Sequence, residues 1–331
     1  MIQDAASRFS VVIVNYNGGD MLLDCVRSVR AAGLPEQRII VVDNGSRDGS
    51  MARLERELPA AVTVRMGCNA GFARAVNRGL AEVGTEFALL FNNDARLDAA
   101  ACGALAAVFD AQPRAAFLGG RLLYEDGRLQ NSVAAFPRLH AEFVPRVLLR
   151  ALWPSRYQGR PKGDTPLRVE SVIGALLAVR MKAVAEFGRL DEDFFFFLEE
   201  TEWCYRAARH GWEVWHVPAA RAVHAQGATA KKHNALARIE YHRSRLIYFR
   251  KTAPALYPLS LLLAIVKAGF NALVNGLLTL LTLGRAANLR AKAGVHGRIL
   301  GWYLSGRPAE VGLPDKCRPG VMPTSGVEQS R

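Results

Sequence analysis

At 331 residues, half of them hydrophobic and 22% charged, the chain carries enough apolar material for one large α/β core with an appendage or two modest domains, so disorder is not the default reading. Its formal net charge of +13 is unevenly placed: residues 221–331 hold 17 Lys+Arg against 4 Asp+Glu, while residues 1–220 hold 26 of each, and a neutral front section argues against a nucleic-acid surface. The five cysteines are scattered with no CxxC pair, which argues against a disulfide framework or zinc knuckle and fits a reducing cytoplasm. The opening MIQDAASRFS shows no basic region followed by an apolar one, so no secretory signal is expected.

In chain order, short apolar runs at 10–14 (SVVIV), 38–42 (RIIVV), 62–64 and 87–91 (FALLF) alternate with helix-like segments at 20–31, 50–58 and 73–83. Such alternation predicts a mostly parallel sheet covered on both faces, with ligands at the carboxyl ends of its strands. Those ends are polar: Asn15-Tyr16-Asn17-Gly18, Asp43-Asn44-Gly45-Ser46, Asn69-Ala70-Gly71-Phe72 and Asn92-Asn93-Asp94. One such residue reads as a cap or turn former, and Asp48 or Ser50 is expected to cap its helix. Four converging ends point to a site. Neither GxGxxG nor GxxxxGK[ST] occurs, so a Rossmann dinucleotide site and a P-loop are not supported.

Residues 121–168, with five prolines, read as a mobile flap over the sheet edge carrying one short helix near 141–153. Apolar runs resume at 169–179, a helix is predicted at 199–210 and a strand at 213–217. From about residue 231 a basic segment precedes a long apolar run, 256–283, that lacks acidic residues. This run could span a bilayer, lie in its surface, or pack as a helical hairpin. The flanking Lys and Arg favour anionic headgroups.

Seven motifs, in order, carry a resemblance across residues 9–250: VVIVNYNGG, VVDNGSRDGS, NAGFARAVNRG, LLFNNDARLD, VIGALLAVR, LDEDFFFFLEETEWCYRAARHGW and VHAQGATA. Together the sequence resembles the family 2 glycosyltransferases of the GT-A fold, in particular their bacterial rhamnosyltransferase-like branch. The resemblance implies an α/β fold with a mixed, mostly parallel central sheet and helices on both faces, followed by a C-terminal helical membrane-associating segment. The catalytic domain would occupy residues 1–230 and the membrane-associating region 231–331.

The activity implied is inverting, metal-dependent transfer of a sugar from a nucleoside-diphosphate donor to a hydroxyl of a lipid-linked or polysaccharide acceptor. The donor would be dTDP-rhamnose or, alternatively, a UDP-sugar, and the work would be done at the cytoplasmic face of the inner membrane. By that resemblance Asp94 and His224 would hold Mn²⁺ or Mg²⁺, and Asn15, Tyr16, Asp43, Asn69, Gly71 and Asn93 would contact the nucleotide sugar. Glu200 would be the general base, with Glu199 orienting the acceptor hydroxyl. An aromatic wall and a neighbouring carboxylate should raise that base, and the helix N-terminus should lower it. Glu202 and Arg206, four apart, should pair. A basic nucleic-acid-binding protein is the competing class, disfavoured because the charge adjoins an apolar run.

Overall fold

The computed structural model describes residues 2–142, 144–225 and 234–317. A short helix α1 (Ile2–Ser7) leads into β1 (Phe9–Asn15), α2 (Gly19–Ala31), β2 (Ile39–Asp43), α3 (Ser50–Glu57), β3 (Val62–Arg65), α4 (Phe72–Leu80) and β4 (Phe87–Asn92). Strand alternation decides which side chain meets which layer. Val11, Ile13, Ile39, Val41, Leu89 and Phe91 enter one core with Leu22, Val26 and Leu54. Val12, Ile40, Val42, Ala88 and Leu90 enter the other with Val76 and Leu80. Both faces are covered, as the near-continuous apolar strands predict.

The chain continues through β5 (Ala95–Leu97), α5 (Ala101–Ala111), β6 (Ala115–Leu123) and β7 (Val133–Ala134). Next come α6 (Arg146–Leu152), α7 (Pro154–Tyr157), β8 (Leu167–Val169), β9 (Ser171–Val172), β10 (Leu176–Arg180), α8 (Met181–Phe187), α9 (Glu199–Arg209) and β11 (Glu213–His224). Sheet order is β3-β2-β1-β4-β10-β6-β11-β5, with β8 on β11. The first four strands are parallel, β10 runs antiparallel to both neighbours, and β11 is parallel to β6. This is the mixed GT-A sheet. Gly119 and Gly120 let β6 pack tightly, since a Cβ on either would lie 2.4 Å from Val172 or 2.1 Å from Leu176.

Three expectations change. Residues 121–123 belong to β6, so the flap begins later than 121. The strand at 213–217 extends to His224 through a register irregularity, which is what carries His224 to the site. And Cys68 is bonded to Cys317 across 249 residues, with Cα atoms 5.2 Å apart, while Cys25, Cys102 and Cys204 are free and buried. Motif spacing sees neighbouring cysteines only; this pair is made by the fold.

Three more helices follow: α10 (Asn234–Thr252), α11 (Tyr257–Leu281) and α12 (Ala287–Leu304). They share a small core of Ile239, Leu246, Ala264, Ala268, Ile299, Trp302 and Tyr303. The expected boundary at 230 and the end of the VHAQGATA motif lie outside the described residues. Much of the basic segment is used internally. Lys251 pairs with Asp191 (2.6 Å) and Asp193 (2.7 Å), Arg243 pairs with Glu240 (2.7 Å), and Arg245 is buried.

Candidate active site

The carboxyl ends of β1, β2 and β4 open into a cleft of about 730 Å³, with Tyr16, Asn69, Gly71, Asn93, Asp94, Glu199, Glu200 and His224 in its lining. The loops beneath are laced together. Asn17 Oδ1 accepts from the Arg47 amide (2.8 Å), and Asp48 accepts from the Gly19 and Ser50 amides (2.7 and 3.0 Å). The cap position of α3 is Gly49 in a left-handed conformation rather than Asp48 or Ser50, though Asp48 still accepts from the first amide of the helix.

Two residues predicted to touch the nucleotide stand outside the lining. Asn15 is fully buried; its amide reaches Ser46 and Ser50, and its Oδ1 accepts from Asn93 (2.9 Å). Asp43, 5% exposed, accepts from the Ser46 amide at 2.9 Å, and Asn44 takes its place in the wall. Both shape the loops that the ligand would meet. Asn69 lines the cleft while its Oδ1 also accepts from Asn44 (3.0 Å) and the Gly71 amide (3.2 Å). Gly18 is demanded by the same packing, because a Cβ there would lie 2.3 Å from Asn15 Oδ1.

At the end of β4, Asp94 Oδ1 stands 3.2 Å from His224 Nε2, and Asn92 Nδ2 approaches the same nitrogen at 3.3 Å. The sequence had not pointed to Gln130, whose Oε1 meets His224 Nδ1 at 3.0 Å while its amide nitrogen donates to the Leu123 carbonyl (3.1 Å). A carbonyl oxygen only accepts, so Nδ1 donates to Gln130, and Nε2 is the ring nitrogen turned to Asp94. A histidine held in this way by its other ring nitrogen is suited to a metal ion. Ligand atoms at right angles on an octahedral ion with bonds of ~2.1 Å lie about 3 Å apart, so the pair fits a divalent cation. Among the described residues no cluster of three or more His, Cys, Asp or Glu could hold an ion alone. Substrate phosphates would have to complete the shell.

In the same lining α9 begins with Glu199 and Glu200. Its approach is strained: Phe197 (φ 73°) and Leu198 (φ 65°) are consecutive left-handed residues without being glycine. Their neighbours hold them. Phe194 is buried in the core, and the Phe195 carbonyl accepts from the Phe72 amide (2.7 Å). Ser244 of α10 donates to the Phe196 carbonyl (2.8 Å), and Tyr241 meets Phe197 edge-on. The four phenylalanines therefore fix the start of an acidic helix from four sides.

Burial pushes the Glu199 carboxyl well up, the charge of Glu200 adds to it, and the residue's own helix amide opposes it. Its Oε2 is buried without a hydrogen-bond partner. Burial also raises Glu200, more accessible than Glu199, against the backbone amides of Glu200, Gly174 and Thr201. Glu202 and Arg206 form the expected pair at 2.8 Å. Trp203 is core, its indole donating to the Gly188 carbonyl (2.8 Å).

The family model for glycosyl transferase family 2 matches residues 10–187, more than half of the chain. The chain belongs to the family 2 glycosyltransferases. Two N-acetylglucosaminyl-diphospho-decaprenol L-rhamnosyltransferases of Mycobacterium tuberculosis, strains CDC 1551 and H37Rv, are 26% identical over 254 residues, covering 72% of this chain and 82% of theirs. The dTDP-rhamnosyl transferase RfbF of Shigella flexneri is 25% identical over 235 residues, 68% of this chain and 72% of its own.

The fold matches the Pyrobaculum calidifontis mannosyltransferase PcManGT, solved with GDP-Man and Mn²⁺, at TM-score 0.51 and 16% identity, over 91% of this chain and 86% of that one. GalNAc-T7, solved with UDP, GalNAc and Mn²⁺, matches at TM-score 0.51 and 17% identity over 74% of this chain and 52% of its own. This glycosyltransferase is rhamnosyltransferase-like by its relatives and GT-A by its fold.

Proposed function

We propose that this glycosyltransferase moves rhamnose, with inversion, from dTDP-rhamnose to a hydroxyl of a lipid-linked glycan acceptor at the cytoplasmic face of the inner membrane. The observation that carries the reading is that one cleft is lined by the Asp94–His224 pair, the Glu199–Glu200 pair and the loops after β1, β2 and β3. The rhamnosyltransferase names of the relatives support the sugar, and the decaprenol-linked substrate named for the mycobacterial enzymes supports the acceptor.

Glu200 takes the proton of the acceptor hydroxyl as that oxygen bonds to the anomeric carbon and the bond to the diphosphate breaks on the far side. Its raised affinity for a proton suits it to that work. Glu199, held toward its neutral form by burial and by Glu200, offers a carboxyl proton to orient the acceptor. Asp94 and His224 would hold a divalent ion, Mn²⁺ being favoured by the imidazole, and that ion would offset charge on the departing diphosphate. The presence of Mn²⁺ in both solved fold relatives agrees with this assignment. Tyr16, Asn69, Gly71 and Asn93 would face the donor. On the flap, Arg150 and Arg156 line the same cleft and would meet the diphosphate of a lipid-linked acceptor.

Membrane contact rests on α11. Its exposed residues Leu259, Leu262, Val266, Phe270, Leu273, Leu277, Leu278, Leu280 and Leu281 fall within an arc of about 160° at 3.6 residues per turn, which also holds the exposed Lys267, while Ser260, Ala264 and Ala268 are buried. A helix packed on one side and apolar on the other lies in a bilayer surface. Exposed Arg285, Arg290 and Lys292 just beyond it fit the cytoplasmic leaflet. We take residues 1–230 as the catalytic unit and 231–331 as the membrane-associating one.

The test is transfer by purified enzyme across dTDP- and UDP-sugars with a lipid-diphosphate acceptor. Turnover of dTDP-rhamnose, abolished by EDTA, by Asp94→Ala and by Glu200→Gln, is the expected result. Equal turnover in Glu200→Gln would remove the base assignment.

A further inference from the structure

After α12 the chain returns to the catalytic cleft, far outside the 10–187 segment that carries the family match. Leu313 and Pro314 line the cleft. Tyr16 donates its phenol proton to Asp315 Oδ2 at 2.5 Å. Lys316 stands 4.4 Å above the Phe195 ring, its ammonium 2.6 Å from the fully buried Glu240 of α10. The Cys317 amide donates to the Asn69 carbonyl (3.0 Å), and its sulfur is bonded to Cys68.

The strap is shaped for this course. Gly312 sits where a Cβ would lie 2.3 Å from Glu240 and 2.7 Å from Lys316, and Arg243 donates to the Pro308 and Val311 carbonyls. Every residue it seizes on the catalytic side belongs to a loop that faces the donor or the base: Tyr16 after β1, Asn69 after β3, Phe195 before α9.

We infer that residues 311–317 are a wall of the donor end of the cleft, with Asp315 positioning Tyr16, and that the Cys68–Cys317 bond latches this wall shut. The inference rests on the nucleotide-sugar reading of the cleft and adds a redox condition to it. In a reducing compartment such a bond is transient and redox-sensing. A dithiol opens it by exchange: the sulfur–sulfur bond breaks, two electrons and two protons pass to Cys68 and Cys317, and the reductant leaves as its own disulfide. The strap then keeps its Lys316 and Asp315 contacts without the covalent anchor, and the Asn69 loop loosens.

The experiment uses full-length enzyme in oxidised form, in dithiothreitol, and as Cys317→Ser, with Asp315→Asn as a fourth arm. Hydrogen exchange of residues 66–72 is read together with dTDP and UDP affinity and the donor KM and kcat. Expected are faster exchange at 66–72 on reduction and in Cys317→Ser, a rise of about tenfold in Kd and donor KM, kcat within about twofold, and reversal on reoxidation of the wild type. Asp315→Asn should weaken donor binding while exchange at 66–72 stays slow.

Unchanged exchange on reduction would overturn the latch. Faster exchange with unchanged nucleotide affinity would overturn the donor-wall role. If neither dTDP nor UDP bound in any state, the donor wall would fall together with the nucleotide-sugar reading, and the exchange arm, which needs no nucleotide, would still judge the latch.

Discussion

Glu199 and Glu200 divide one buried patch of charge between them, and the division is testable by pH. In the folded protein Glu199 holds its proton more tightly than an ordinary glutamate, whose value is 4.5. Below that value both folded and unfolded chains are protonated and the residue contributes nothing. As pH rises past it the unfolded chain ionises and is favoured, so stability falls. Glu199→Gln should therefore raise the Tm at pH 7.5, and the gap to wild type should close as pH drops below about 4. A gap that persisted in acid would mean that Gln repacks the site. Glu200 should show itself in rate: kcat should rise with pH along a limb lying above 4.5, since burial raises this carboxyl too. Glu200→Gln should lower kcat by about 10²–10⁴-fold with donor Kd unchanged.

At the scale of elements, the loop before α9 is the part most dependent on neighbours. Gly71 (φ 92°) lies so close to Phe195 that a Cβ would come within 2.8 Å of its carbonyl oxygen. Gly71→Ala should cost roughly 1–3 kcal/mol in a urea melt and weaken donor binding, because strain and clash act together. A neutral Ala there would show that the loop has slack. The front strands and the polar residues at their ends were legible in the sequence because short continuous apolar runs bounded by turn residues are local, and so was the Glu202–Arg206 pair. Helix α5 (ACGALAAVFDA) went unread because it is apolar nearly all round, and β6 (AAFLGGRLL) because its paired glycines resemble a turn. Gln130, the Asp315 contact to Tyr16 and the Cys68 bond to Cys317 were not legible at all. Each joins residues 94 or more positions apart, and no spacing rule reaches that far. Asn15 and Asp43 were found by motif, yet a motif does not say which of its members shapes the pocket and which faces it.

For the whole molecule, the charge asymmetry and the apolar stripe belong to one arrangement. Part of the rear charge is spent inside, on Glu240, Asp191 and Asp193. The part left outside, Arg285, Arg290, Lys292 and Arg298, adjoins the helix whose outward face, Lys267 apart, is mostly Leu, Val and Phe. On the proposed membrane role two forces would hold the enzyme to a bilayer, and they respond differently to salt. The electrostatic one weakens as the Debye length shrinks from ~10 Å at 0.1 M to ~3 Å at 1 M, while the apolar one does not. Flotation with vesicles containing anionic lipid should accordingly fall as salt rises, without vanishing. Replacing Leu262, Phe270 and Leu277 together by Ser should abolish the salt-resistant fraction, leaving turnover of a short soluble acceptor within about twofold, since none of the three lines the cleft. If that triple variant floated like wild type at high salt, the stripe would be covered by protein in solution, and the acceptor would have to reach the cleft from water rather than along the membrane.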